Sequence, residues 1–136
     1  MQHKGLMFPK KQNKKRRMHH PKSILHNKDN RTCYICMHHG DYSIKPILHK
    51  HHIFNGPNRV KSEEYGVKVY LCPECHMYGP HAVHRDPAGE ENVWLKRRGQ
   101  QAFEAIYGHR KFMEVFGKNQ LEERKDEDEE SILQMV

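Results

Sequence analysis

Four cysteines, Cys33, Cys36, Cys72 and Cys75, fall as two C-x-x-C pairs, and thirteen histidines are spread over 136 residues. Thiolate and imidazole are the ligands zinc and its neighbours in the first transition row prefer, so metal chemistry is the first expectation. A C-x-x-C turn sets two thiolates on one side of a tight knuckle, and two knuckles complete a tetrahedral four-sulfur shell. The spacing therefore predicts one structural zinc on Cys33, Cys36, Cys72 and Cys75. A redox dithiol and a pair of disulfides are the competing readings, and two matched knuckles in a reducing compartment favour the metal over both. A closed four-sulfur shell has no open coordination position, so a reactive centre must lie elsewhere.

The histidines are not equivalent. His49, His51 and His52 lie within Ile47-Leu-His-Lys-His-His-Ile-Phe54, and His76, His81 and His84 follow the second knuckle. The first segment reads as a strand, in which consecutive side chains point to opposite faces. His51 and His52 thus divide the work: one of the two binds a divalent ion, while the other, titrating near neutrality, accepts a proton from water. His76 and His84 can close the metal shell if Gly79-Pro80 turns the chain back. His49 shares a face with His51 by alternation and, like His81, lies beside the site.

Few elements are available to hold these groups. Asn55-Gly-Pro-Asn58 ends the first strand, Val67 to Leu71 reads as a second, and Pro73 suits the first turn of a short helix that Gly79-Pro80 terminates. From Asn92 the spacing predicts a helix with Leu95, Ala102, Phe103 and Ile106 on its inner face and Lys96, Arg97, Arg98 and Gln101 outward. Gly108 breaks it, and a second helix carries Phe112, Met113, Val115 and Phe116 as far as Gly117. With 35% apolar residues the core is modest, so binding energy from zinc is in effect folding energy. The expected fold is a small α+β domain stapled by zinc and followed by C-terminal helices.

Charge falls in blocks around that domain. The expected organisation is a flexible basic arm over 1–22, a compact domain over 23–121 and an acidic tail over 122–136. The arm either grips phosphates or is a solvated tail; a third option is that the acidic tail folds back and competes for the basic surface. A formal charge of +7 points to a polyanionic partner, by default nucleic acid. No run of about 18 apolar residues and no signal-peptide pattern is present, which predicts a cytosolic chain with no membrane partner.

His51-His52, with Leu71-Cys-Pro-Glu-Cys-His76, resembles the HNH, or ββα-metal, nucleases, many of which also carry two C-x-x-C knuckles. More narrowly, Leu48 to Arg59, Glu64 to Leu71, Val83-His84 and Phe116-Gly-Lys-Asn119 look like small phage and prophage HNH proteins, over about residues 23–121. The resemblance implies a ββα-metal core in which His52 is the general base and His51 and His76 are metal ligands. His84 is the first choice for the third ligand. The family's middle Asn is replaced here by Val67, and Asn58 or Asn55 is expected to take over its role of fixing the base.

The function so implied is endonucleolytic hydrolysis of DNA, double-stranded and with weak sequence preference, in phage DNA processing. One catalytic divalent cation is needed, and an imidazole shell favours Mn2+, Ni2+, Co2+ or Zn2+ over Mg2+. Arg59, Lys61, Arg85, Lys96, Arg97 and Arg98 are expected to contact phosphates on either side of the cut, giving salt-dependent binding. A homodimer, or association with packaging or recombination proteins, fits the same resemblance. The rival readings are a zinc-ribbon-like nucleic-acid adaptor without catalysis and a structural phage component acting through partner proteins.

Overall fold

A computed structural model describes residues 20–121. The acidic tail and all but the last three residues of the expected basic arm lie outside that range. Element order is a short helix α1 (Tyr34–His38), strand β1 (His49–His52), helix α2 (Arg59–Tyr65), strand β2 (Lys68–Leu71), a π-helical turn (Glu74–Tyr78) and helices α3 (Glu90–Tyr107) and α4 (His109–Phe116). The result is a small mixed α+β fold.

β1 and β2 pair antiparallel, with His49 opposite Leu71, His51 opposite Val69 and His52 opposite Lys68. All of β2 is buried, so this two-stranded ribbon is covered by other elements. That cover is needed, because an isolated pair of strands is marginal in water. Ile53, Val67, Val69 and Leu71 continue from the strands into a core that includes Leu95, Phe103 and Phe112, all at most 1% exposed. Phe54, Phe103, Phe112 and Phe116 meet at ring separations of 4.7–5.6 Å and join the strand end to both C-terminal helices.

α2 was not expected, since hydrophobic periodicity is absent from Arg-Val-Lys-Ser-Glu-Glu-Tyr. Its inward face is polar. Ser62 Oγ donates to the Phe54 carbonyl at 2.6 Å and accepts from the Phe54 amide at 3.2 Å, so burial there is satisfied by hydrogen bonds instead of apolar contact. The inner stripe of α3 also differs from expectation. Leu95 and Phe103 point inward, but Ile106 is 57% exposed, and Gln100 is fully buried in its place. The helix approaches the strands at Gly99, where a Cβ would meet Ile53 and Val67 methyls at 3.0 and 3.1 Å, whereas Ile106, seven residues on along the same face, lies in the last turn of the helix. Gln100 is satisfied by Glu104, by Asn119 and by the Gln120 amide, at 2.6–2.7 Å.

The π-helical turn fixes the knuckle that follows β2. Gly79 donates to the Glu74 carbonyl at 2.8 Å, the i to i+5 bond of a π-turn, and a Cβ at residue 79 would lie 2.6 Å from that oxygen. Glycine is therefore required there. Among the described residues no helix is long and apolar enough to cross a membrane.

A four-cysteine cluster and a histidine cleft

Cys33 caps α1, accepting from the Cys36 amide at 3.5 Å, while Cys72 leaves β2 and Cys75 sits in the π-turn. All four thiols are free, and their sulfurs lie within 4.8 Å of one another. Cys36 Sγ is 3.9 Å from Cys72 Sγ and 3.7 Å from Cys75 Sγ. A tetrahedral zinc with bonds of about 2.3 Å requires sulfur–sulfur edges of about 3.8 Å. The donor set and its spacing thus fit zinc. The hydrogen bond from the Cys75 thiol holds Cys33 well below the usual thiol range, whereas burial and the Cys33 charge push Cys36 up, and the bond to Cys33 pushes Cys75 up. Without a cation one site carries the charge and its neighbours keep their protons; a dication is what allows all four to ionise together.

Strand alternation separates the β1 side chains. His49 and His51 face the π-turn, while Lys50 and His52 face α2. The chain after Gly79 folds back so that Val83 donates to the Cys75 carbonyl at 2.9 Å and His84 to the His76 carbonyl at 3.2 Å. His51, His76 and His84 are thereby brought together, each offering a nitrogen within 4.8 Å of the other two. His76 Nε2 and His84 Nε2 are 2.9 Å apart, close to the separation of about 3 Å between adjacent ligands of an octahedral ion with bonds of about 2.1 Å. His51 is 4% exposed and its Nε2 is buried without a hydrogen-bond partner. An orphaned buried nitrogen beside two converging imidazoles is what a cation site requires.

Burial, then the nearby His76, His84 and His52, lowers His51 to about 3; burial, then His84 and His49, lowers His76 to about 4. Both rings are consequently neutral near pH 7, with lone pairs available to a metal. Unfolded, they would titrate near 6.5 and bind more protons than the folded chain throughout the interval below that value. Stability is therefore complete above pH 6.5 and drains as pH falls from there through about 4 for His76 and about 3 for His51. His51→Leu removes both the titration and the orphaned nitrogen. With zinc limited to one equivalent, the variant is expected to gain roughly 1 kcal/mol at neutral pH and to show a flatter acid limb in thermal melts. A loss of stability at neutral pH would mean that the nitrogen is not orphaned.

His52 is 14% exposed at the side chain, and its Nε2 lies 2.7 Å from Glu63 Oε1. Expected to be held by an Asn, it is instead held by a carboxylate. Glu63 is buried and also binds Lys68, His20 at 3.2 Å and Lys50 at 3.3 Å. Burial alone would raise the Glu63 carboxyl, but hydrogen bonds from Lys68, His52 and His20 outweigh it and keep the group below the usual carboxylate range. An ionised Glu63 can only accept, so His52 donates Nε2–H to it, and any lone pair of the ring lies on Nδ1. Asn58 does not hold the base, because its Nδ2 donates to the Phe116 carbonyl at 3.4 Å.

One cleft of about 380 Å³ is lined by His51, His76 and His84 together with His52, Lys50, Asn55, Gly56 and Arg59. Of the six basic residues expected to meet phosphates, Arg59 is the one in this lining. Lys61 Nζ donates to the Val115 carbonyl at 2.8 Å, and Arg85 donates to the Tyr78 carbonyl at 3.1 Å. Lys96, Arg97 and Arg98 ride on α3; Arg97 lines a separate cavity beside Trp94, with a buried Nε that has no partner, and Arg98 bonds Gln101 at 3.2 Å. Lys50 and Glu63 were missed because a charge on a strand or on a polar helix reads as solvated. His81 is exposed and stands apart from the three converging rings. The chain matches no known family model, no curated protein and no solved structure.

Proposed function

We propose that this chain is a metal-dependent endonuclease of the HNH type that hydrolyses DNA phosphodiester bonds. The observation that carries the proposal is the composition of one cleft, in which three converging imidazoles and a fourth, carboxylate-bound imidazole line the same space. His51, His76 and His84 would hold a divalent cation, which supplies charge neutralisation on the phosphate and on the departing 3′ oxygen. An all-imidazole set leaves open coordination positions and favours Mn2+, Co2+, Ni2+ or Zn2+ over Mg2+.

His52 acts as general base, taking a proton from the attacking water on Nδ1 while Glu63 holds Nε2–H and stabilises the imidazolium that forms. Arg59 and Lys50, at the rim, bind the phosphates on either side of the cut without reading bases. Cys33, Cys36, Cys72 and Cys75 would hold a zinc that fills its shell with their sulfurs and so serves the fold, keeping His76 in register with β1.

Supercoiled plasmid incubated with the protein and Mn2+ is expected to become nicked or linear, while an EDTA control stays supercoiled and His84→Ala slows the reaction. An inert protein under Mn2+, Mg2+, Co2+, Ni2+ and Zn2+ alike would end the nuclease reading and favour a zinc-clipped nucleic-acid adaptor.

A further inference from the structure

We infer that His49 is a positioning residue for the histidine centre, accepting a hydrogen bond from His76 Nδ1–H and so fixing the ring and tautomer that present His76 Nε2 to His51 and His84. This rests on the reading of those three residues as a cation site.

An imidazole that ligates a metal does so through the lone pair of one nitrogen and carries its proton on the other. His76 has a close neighbour at each nitrogen: Nε2 is 2.9 Å from His84 Nε2, and Nδ1 is 3.0 Å from His49 Nδ1. Two proton arrangements satisfy these contacts in the metal-free protein. In one, His49 donates to His76 and His76 in turn donates to His84, which leaves His76 Nε2 with no lone pair to give. In the other the order reverses: His76 Nδ1 donates to His49, Nε2 is unprotonated, and His76 is competent to bind a cation. His49 Nδ1 must then be the acceptor, with the His49 proton on Nε2. The rings meet at 67° with centroids 5.1 Å apart, an edge contact suited to an in-plane N–H···N bond and not to stacking.

The placement of His49 is rigid. It lies on β1 directly opposite Leu71, and Leu71 precedes Cys72, so the ladder ties the acceptor to the strand that leads into the knuckle carrying His76. His49 and His51 also share one face of β1, so a single strand supplies both a ligand and the partner of another ligand. Outer partners of this kind orient the ring and raise its basicity as a ligand.

Protein loaded with one equivalent of zinc at the cysteines is titrated with Co2+, reading d–d absorption for the histidine centre and near-ultraviolet thiolate charge transfer for any exchange into the cysteine shell. His49→Leu keeps bulk without an acceptor, and His49→Ala removes both. Each is expected to weaken Co2+ binding by about 10- to 100-fold. His49→Asn, whose Oδ1 falls where Nδ1 was, is expected to recover most of the loss. Unchanged cobalt affinity in the Leu and Ala variants, or an Asn variant as weak as they are, would overturn the assignment. Wild-type protein that takes up no cobalt outside the cysteines would overturn the centre itself, a result distinct from a variant-specific failure.

Discussion

Cys75→Ser is expected to leave the domain without a cooperative thermal transition, and treating the wild-type protein with a chelator is expected to do the same. The reason is a comparison of sizes. Structural zinc sites contribute apparent binding energies of about 10–16 kcal/mol, while whole domains are stable by about 5–15 kcal/mol. Here the apolar core rests on a two-stranded ribbon, one face of α3 and the short α4, and Cys33 and Cys72 are themselves buried members of it. Without the ion, thiols within 4.8 Å of one another cannot all ionise, and the tie between α1 and the end of β2 is lost. Circular dichroism melts with and without chelator measure this. A Cys75→Ser protein melting within about 1–2 kcal/mol of wild type would show that the cluster does not hold the fold together.

His52→Ala is expected to lower the rate of plasmid cleavage by about 10²- to 10⁴-fold, the usual contribution of a positioned general base, with DNA affinity little changed. In the proposed mechanism His52 contributes a proton acceptor, while Arg59 and Lys50 supply the phosphate contacts. Glu63→Gln tests the same step through its support and carries a second effect. Lys68 is 2% exposed and relies on Glu63 for its countercharge, so the substitution is expected to cost on the order of 3–5 kcal/mol of stability. Activity is therefore compared at equal folded fraction, where a further loss reports the freed His52 ring. Cleavage by His52→Ala at the wild-type rate would remove His52 from the mechanism.

Some of this arrangement was legible in the sequence, and the physical reasons differ by feature. The cysteine cluster was legible because C-x-x-C is a local geometry that needs only to find its twin. The opposed directions of His51 and His52 followed from the strand period, and Gly79 with Pro80 marked the end of the helical turn. α2 was not legible, since its buried face is made of Ser62 and Glu63, and burial by hydrogen bonding leaves no hydrophobic rhythm. The inner stripe of α3 departs from its periodicity at Ile106, which keeps the right face but sits in the last turn of the helix and is 57% exposed; how far the core reaches along a helix is a tertiary fact. Glu63 as the partner of His52 joins residues eleven apart on two different elements, and no single-chain pattern connects them.

Cys75 and His76 are successive residues of one turn, one pointing its sulfur at the cysteine cluster and the other its imidazole at the cleft. Two ions bound so close along the backbone would share a linkage: whatever free energy the first lent to ordering the turn, the second would receive, and the exchange would be reciprocal. If both sites bind as proposed, scarcity of zinc would weaken the imidazole cluster without altering any of its residues, and a transplanted histidine set would lose its order unless the sulfur knuckle travelled with it.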